Sequence, residues 1–302
     1  MNHNIHIGGR DDYAKIHEIK QEIDSDVQPK QISLNPVGNH IISIIHDVDF
    51  NAENIPLKLE EILDGAIDLE GFKTLKTASA SYQTQNGTEY SIAKIISESH
   101  MITTTCNGNK DVIVDVTSCR GPESGNLAYD YILNKLGGCF DRQSFLVYSI
   151  KVPKDVQHAG CKSRVQNIRL DLSGSASHIF SMIYGVRSDI INDKYRLDDI
   201  LTSALKLVGY ESLADSEADF NANESSKAYT LVKMMGSHVV MSTYPEFGSI
   251  ELDVTTLNGH GLDKTIFDCI KKQLIANSDS KSHGLLGVIN RVGAKLNILY
   301  HQ

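Results

Sequence analysis

The sequence predicts an α+β protein: a four-layer αββα sandwich of two similar antiparallel-sheet halves related by a pseudo-twofold axis. Three observations lead there. The chain repeats itself, since residues 97–121 (SESHMITTTCNGNKDVIVDVTSCRG) align with 235–259 (MGSHVVMSTYPEFGSIELDVTTLNG) at an offset of 138. Each copy carries β-like alternation, with Val112, Val114 and Val116 in one and Ile250, Leu252 and Val254 in the other. Each copy also carries amphipathic helical stretches able to cover one face of its sheet. Two copies are too few for a solenoid and instead suggest a twofold pair fused into one chain.

The elements follow in order. Residues 1–30 form a polar N-terminal extension in which Tyr13, Ile16, Ile19 and Ile23 have helical spacing. His3 and His6 there read as part of an exposed terminus rather than as metal ligands, and no metal site is expected. The first repeat is placed at 31–155, a polar linker at 156–168 and the second repeat at 169–302. A strand opens each repeat (39–47 and 177–186). Next comes a helix with Leu59, Ile62, Leu63 and Ala66, or Leu197, Ile200, Leu201, Ala204 and Leu205, on one face. Gly71 and Gly209 stand where those helices stop. Two β runs follow, 91–105 with 111–118 and 229–243 with 249–257, joined by turns at 107–110 and 245–248. A second helix (126–137, 264–275) and a last strand (144–152, about 285–291) close each unit. The offset is expected to run without a gap from His40 on His178 to Leu136 on Leu274.

The bulk numbers narrow the function classes. A net charge of −9 with no basic block argues against nucleic acid or an anionic membrane as partner. No apolar run approaches the ~20 residues of a membrane span, and no secretory signal is evident at Met1. The five cysteines show no CxxC spacing, as expected of reduced thiols in the cytoplasm.

The differences between the copies carry the chemistry. Copy one has Glu98-Ser99 and Cys119 where copy two has Gly236-Ser237 and Leu257; copy two alone has Tyr244-Pro245-Glu246. The segment Ile95-Ile96-Ser97-Glu98-Ser99-His100, with Asp115-Val116-Thr117-Ser118-Cys119 behind it, resembles the bacterial-type S-adenosylmethionine decarboxylases. Thr243-Tyr244-Pro245-Glu246 is similar to a strand end and turn of the same family, and the resemblance covers most of residues 36–300. It implies self-cleavage at Glu98-Ser99, with Ser99 becoming an N-terminal pyruvoyl cofactor. That carbonyl would form a Schiff base with the substrate amine and accept the electrons left at Cα when carbon dioxide departs. Cys119 is implied as the acid that reprotonates Cα, and a thiol with a reference pKa of about 8.5 can donate near neutrality. Glu246 is implied as the group that binds the ribose diol of S-adenosylmethionine.

The chain departs from the family at Thr104 and Ser242, where the processing histidine is expected. An auxiliary serine is present as Ser91 but is Tyr229 in the second copy. Processing then falls to another base, His100 or His238, or does not occur. The resemblance implies a decarboxylase feeding spermidine synthesis, with S-adenosylmethionine as partner. Two alternatives remain open: an arginine or ornithine decarboxylase with the same cofactor, for which Glu246 has no diol to hold, and a non-catalytic regulatory relative. Pairing of two fused chains into a homodimer also stays open.

Overall fold

A computed structural model describes residues 33–50, 54–97, 99–118, 120–121, 123–137, 139–151, 165–172, 176–184, 186–223, 226–245, 248–257, 262–275, 285–292, 295–297 and 300–301. The N-terminal extension, Glu98, Cys119 and Glu246 lie outside them.

The first half runs β1 (Ser33–His46), α1 (Ile55–Glu70), β2 (Thr74–Thr84), β3 (Gly87–Ile96), β4 (Ser99–Cys106), β5 (Asp111–Ser118), α2 (Asn126–Leu136) and β6 (Cys139–Lys151). The strand β7 (Val165–Leu172) then leads into the second half: β8 (Ala176–Tyr184), α3 (Lys194–Leu207), β9 (Ala214–Asn223), β10 (Ser226–Met234), β11 (His238–Tyr244), β12 (Ser249–Leu257) and α4 (Leu262–Ile275). Short strands β13 (Leu285–Val292), β14 (Lys295–Asn297) and β15 (Tyr300–His301) end the described chain. The order from β1 to α2 recurs from β8 to α4, so the sequence repeat is a repeat of structure.

Local chemistry sets the helix bounds. Asn54 caps α1 by accepting a hydrogen bond from the Leu57 amide, and Gly71 ends it in the left-handed conformation at φ 68°. Asp193 caps α3 in the same way, accepting from the Arg196 amide at 3.1 Å.

All strand pairings are antiparallel. One sheet has eight strands in the order β14-β13-β6-β1-β5-β4-β3-β2, the other seven in the order β15-β7-β8-β12-β11-β10-β9. Alternation sorts the side chains. Val112, Val114 and Val116 of β5 pack with Leu59, Ile62, Leu63 and Ala66 of α1. Ile250, Leu252 and Val254 of β12 pack with Leu197, Ile200 and Leu201 of α3. A third cluster joins the sheets themselves, with Ala93, Ile95 and Ile102 from one and Val232, Met234 and Val240 from the other. Helices outside and two sheets face to face inside give the four-layer sandwich. Among the described residues, no helix is long and apolar enough to cross a membrane.

Three expectations need correction. The strand at 285–292 forms but pairs with β6 in the first sheet rather than closing its own half. Its place beside β8 is taken by β7, an adjacent hairpin partner. A hairpin closes a short loop and loses less chain entropy than a distant pairing, so it fills that edge. For the same reason the end of the 156–168 stretch, expected to be linker, is strand from Val165. The offset also has a gap. Ser91 pairs with Thr104 and Thr230 with Ser242, so across β3 and β10 equivalent residues are 139 apart. The structural partner of Ser91 is therefore Thr230, not Tyr229. Salt bridges agree: Lys94 meets Glu60 at 3.0 Å, and Lys233 meets Asp198 at 2.7 Å. The hairpin between β9 and β10 is one residue longer than that between β2 and β3, and the turn before β11 is one residue shorter than that before β4, which sequence identity alone did not reveal.

Candidate active site and the buried polar layer

Ser99 opens β4 with its Cα opposite Ser118, the last residue of β5. This register brings the residue before Cys119 alongside Ser99. Ser99 is buried and has φ 150°, a region essentially reserved for glycine. Its Oγ lies 3.2 Å from His100 Nδ1. Ser91 and Thr104 also come together: their hydroxyls form a buried hydrogen bond at 2.7 Å. Ser242 does the same with Thr230 at 3.2 Å. The two positions expected to carry a processing histidine thus hold hydroxyl pairs in both halves. Glu246 follows Tyr244 and Pro245 beyond the end of β11, and Tyr244 donates its hydroxyl hydrogen to Glu251 Oε2 at 2.9 Å. Glu251 is buried, and burial raises its pKa.

Sequence reasoning missed the polar layer between the sheets. On β5 and β12, alternation turns Asp115, Thr117, Asp253 and Thr255 away from the helices. Thr117 stands between His40 on β1 and His100 on β4, its Cα partners on either side. Thr255 stands likewise between His178 on β8 and His238 on β11. Each sheet therefore presents a His-Thr-His row with an aspartate two residues along the central strand. The rows face each other. His40 Nε2 is 3.0 Å from Asp115 Oδ1 and 3.4 Å from Asp253 Oδ2. His238 Nε2 is 3.2 Å from Asp115 Oδ2, and His178 Nδ1 is 3.2 Å from Asp253 Oδ1. The His40 and His178 rings meet edge to face with centroids 5.2 Å apart. Equivalent residues meet across a twofold axis, so the axis passes through this layer. The available signal was the repeat itself: these four histidines, two aspartates and two threonines are among the polar residues the copies share.

The carboxylates and imidazoles set each other's ionisation. Burial pushes against charge throughout, but His40, His100 and His238 hold the Asp115 carboxyl well below the usual carboxylate range. Burial would also lower His100 and His238, yet the Asp115 and Asp253 carboxylates beside them outweigh it and raise them to about 10 and about 9. For His178 burial wins, and its pKa falls to about 4 in spite of Asp253.

The fold and this site define a class: a duplicated αββα sandwich with a buried serine of positive φ opening one strand, and a shared His-Asp layer on the pseudo-twofold axis. The profile of the S-adenosylmethionine decarboxylase family matches residues 39–139 and 177–283, both halves in turn. The chain belongs to the S-adenosylmethionine decarboxylase family. A proenzyme of that name from Saccharolobus islandicus is 34% identical over 102 residues, 33% of this chain and 80% of the relative. Another, from Pyrobaculum islandicum, is 30% identical over 97 residues, 32% of this chain and 76% of the relative. Among solved structures, the adenosylmethionine decarboxylase of Aquifex aeolicus aligns with TM-score 0.32 and 25% identity, over 36% of this chain and 89% of its own.

Proposed function

We propose that this chain is a self-processing, pyruvoyl-dependent S-adenosylmethionine decarboxylase serving polyamine synthesis. The observation that carries the proposal is Ser99, buried at the start of a strand, in a strained backbone conformation, with an imidazole on its hydroxyl. A residue held in such a region is destabilised by about 1–3 kcal/mol, energy that breaking its backbone bond releases.

Maturation proceeds in three balanced steps. Ser99 Oγ attacks the Glu98 carbonyl carbon, the C–N bond breaks, and the nitrogen takes up the hydroxyl proton, leaving an ester. Loss of the Ser99 Cα proton then breaks the Cβ–O bond, and the first piece departs with Glu98 as its C-terminal carboxylate. Water hydrolyses the remaining dehydroalanine, as its imine tautomer, to a pyruvoyl group and ammonia. Ser99 suits this origin, being small and buried with its hydroxyl in contact with His100. His100 acts as a positioning residue that holds Oγ, while its other ring nitrogen faces Asp115 Oδ1 at 3.6 Å and Asp253 Oδ2 at 3.8 Å.

The mature group supplies an electron sink for the carbanion left by decarboxylation. The side chains do the rest. Cys119 returns a proton to the substrate Cα, and Glu246 accepts hydrogen bonds from the ribose diol, which arginine and ornithine lack.

Denaturing mass spectrometry of the purified protein tests maturation directly. Chains of 98 and 204 residues, together making the 302, are expected, the longer with a blocked pyruvoyl terminus. A specific observation favours one rival. The closed Ser91–Thr104 hydroxyl pair stands where the resemblance expects a processing histidine. A wild-type chain that stays intact after prolonged incubation makes this a non-catalytic relative.

A further inference from the structure

Four residues to which no step above is assigned converge on the pseudo-twofold axis. His40 and His178, from equivalent places on β1 and β8, and Asp115 and Asp253, from β5 and β12, each present one donor atom. The four atoms lie within 4.8 Å of one another, and all four residues are fully buried. Two carboxylates removed from water need positive charge close by, and His100 and His238 face them from 3.2 to 3.8 Å. A divalent ion among the four donors would bind by displacing protons from the imidazoles of this layer.

The spacing suits such an ion. Zinc bound tetrahedrally at about 2.0–2.1 Å holds its nitrogen and oxygen ligands roughly 3.3 Å apart. His40 Nε2 lies 3.0 Å from Asp115 Oδ1 and 3.4 Å from Asp253 Oδ2, while the other Asp253 oxygen, Oδ1, lies 3.2 Å from His178 Nδ1, so Asp253 would turn one oxygen to the ion. Asp253 gives a second, independent sign. Both of its oxygens are buried, and neither accepts a well-formed hydrogen bond despite imidazole nitrogens at these distances.

We propose that His40, Asp115, His178 and Asp253 form a structural zinc site on the pseudo-twofold axis, each half contributing one imidazole and one carboxylate. Two nitrogens and two oxygens suit zinc better than magnesium, which favours six oxygens including water. Four buried protein ligands complete a tetrahedral shell and leave no open position, which makes the site structural rather than catalytic. His238 supports it from outside, its Nε2 lying 3.2 Å from Asp115 Oδ2, the oxygen left over from the ion. The ion would displace the hydrogen bond between His178 Nδ1 and Thr255 Oγ1 at 2.9 Å. The Thr255 hydroxyl keeps its other partner, His238 Nε2 at 3.1 Å. The inference goes beyond the decarboxylase reading and does not rest on it.

The test uses the full chain and metal ions alone. After a zinc supplement and exhaustive dialysis, elemental analysis is expected to give about one zinc per chain. Cobalt(II) in its place is expected to show the intense visible bands of tetrahedral coordination. Asp253→Asn and His178→Gln, checked for folding by circular dichroism, are expected to lose the bound zinc and those bands together. The chain has 12 histidines, so zinc held at the surface is a real competitor. Retention of zinc and unchanged cobalt spectra in folded Asp253→Asn would assign the metal elsewhere and overturn the proposal. So would a wild-type chain that holds less than a tenth of an equivalent and gives no tetrahedral cobalt spectrum. If both variants fail to fold, wild type alone decides by stoichiometry and cobalt spectrum.

Discussion

Replacing Ser99 by alanine and, separately, by glycine isolates the strain at the cleavage site. Both variants lack the hydroxyl, so neither can mature, and both lose the contact with His100. They differ by one methyl group. At φ 150° the β-carbon is what the backbone conformation penalises. Relief of that penalty on going to glycine is worth about 1–3 kcal/mol. Glycine gives back roughly 0.5–1 kcal/mol through the greater freedom of its unfolded chain. The expected balance favours Ser99→Gly over Ser99→Ala by about 1 kcal/mol. That corresponds to a melting temperature higher by roughly 2–4 °C, the scale for domains of a few hundred residues. Parallel thermal and urea unfolding of the two intact variants provides the assay. Ordinarily glycine inside a strand is the less stable choice, so the sign itself is diagnostic. If Ser99→Ala proves the more stable, the backbone there is relaxed and strain takes no part in maturation.

Other changes test separate groups. Cys119→Ala is expected to leave cleavage intact while slowing decarboxylation by about 10²–10⁴, measured as carbon dioxide release; unchanged turnover removes Cys119 from the reaction. Glu246→Gln is expected to lower kcat/KM for S-adenosylmethionine roughly ten- to hundredfold, as loss of a charge-assisted hydrogen bond does. Release from arginine or ornithine alone, indifferent to Glu246, would replace the substrate assignment. His100→Gln is expected to slow cleavage, followed by gel electrophoresis over time, since the Ser99 hydroxyl loses its imidazole partner; an unchanged rate would deny His100 its positioning role. Gly65→Ala would drive a methyl group into the Tyr131 hydroxyl and to 2.8 Å from its Cζ. The expected cost is about 1–3 kcal/mol from overpacking, more than the roughly 1 kcal/mol gained in helix propensity. Adding Tyr131→Ala is expected to restore the melting temperature, and failure to do so would place the damage elsewhere.

The layers were legible in the sequence because alternation is a local property. Val112, Val114 and Val116 declare a strand with one apolar face, and the spacing of Leu59, Ile62, Leu63 and Ala66 declares the helix that covers it. Partner choice was not legible. Nothing within residues 285–292 says that they join β6 rather than β8, because that depends on which edge β7 has already filled. The single-residue slip between β3 and β10 escaped for a related reason. His100 and His238 keep the 138 spacing, and only the hydroxyl pairs and the paired lysines reveal that β10 is shifted by one residue. At the site, Ser99 stood out by its neighbours Glu98 and Cys119. The His-Asp layer did not, because its members are scattered along the chain and gain meaning only when two sheets face each other.

The central position of β1 has a consequence for the matured protein. It lies between β5, paired from Asn39 to Ile45, and β6, paired from Ser33 to His46. A break after Glu98 would put β1, α1, β2 and β3 on the small fragment and both neighbours of β1 on the large one. β3 would likewise stay zipped along β4, from Ser91 with Thr104 to Ile96 with Ser99. The clipped molecule would then be a tightly threaded heterodimer without a covalent link. Under native conditions it would keep the mass of the uncut chain, and its two pieces would separate only when the whole sheet is dismantled.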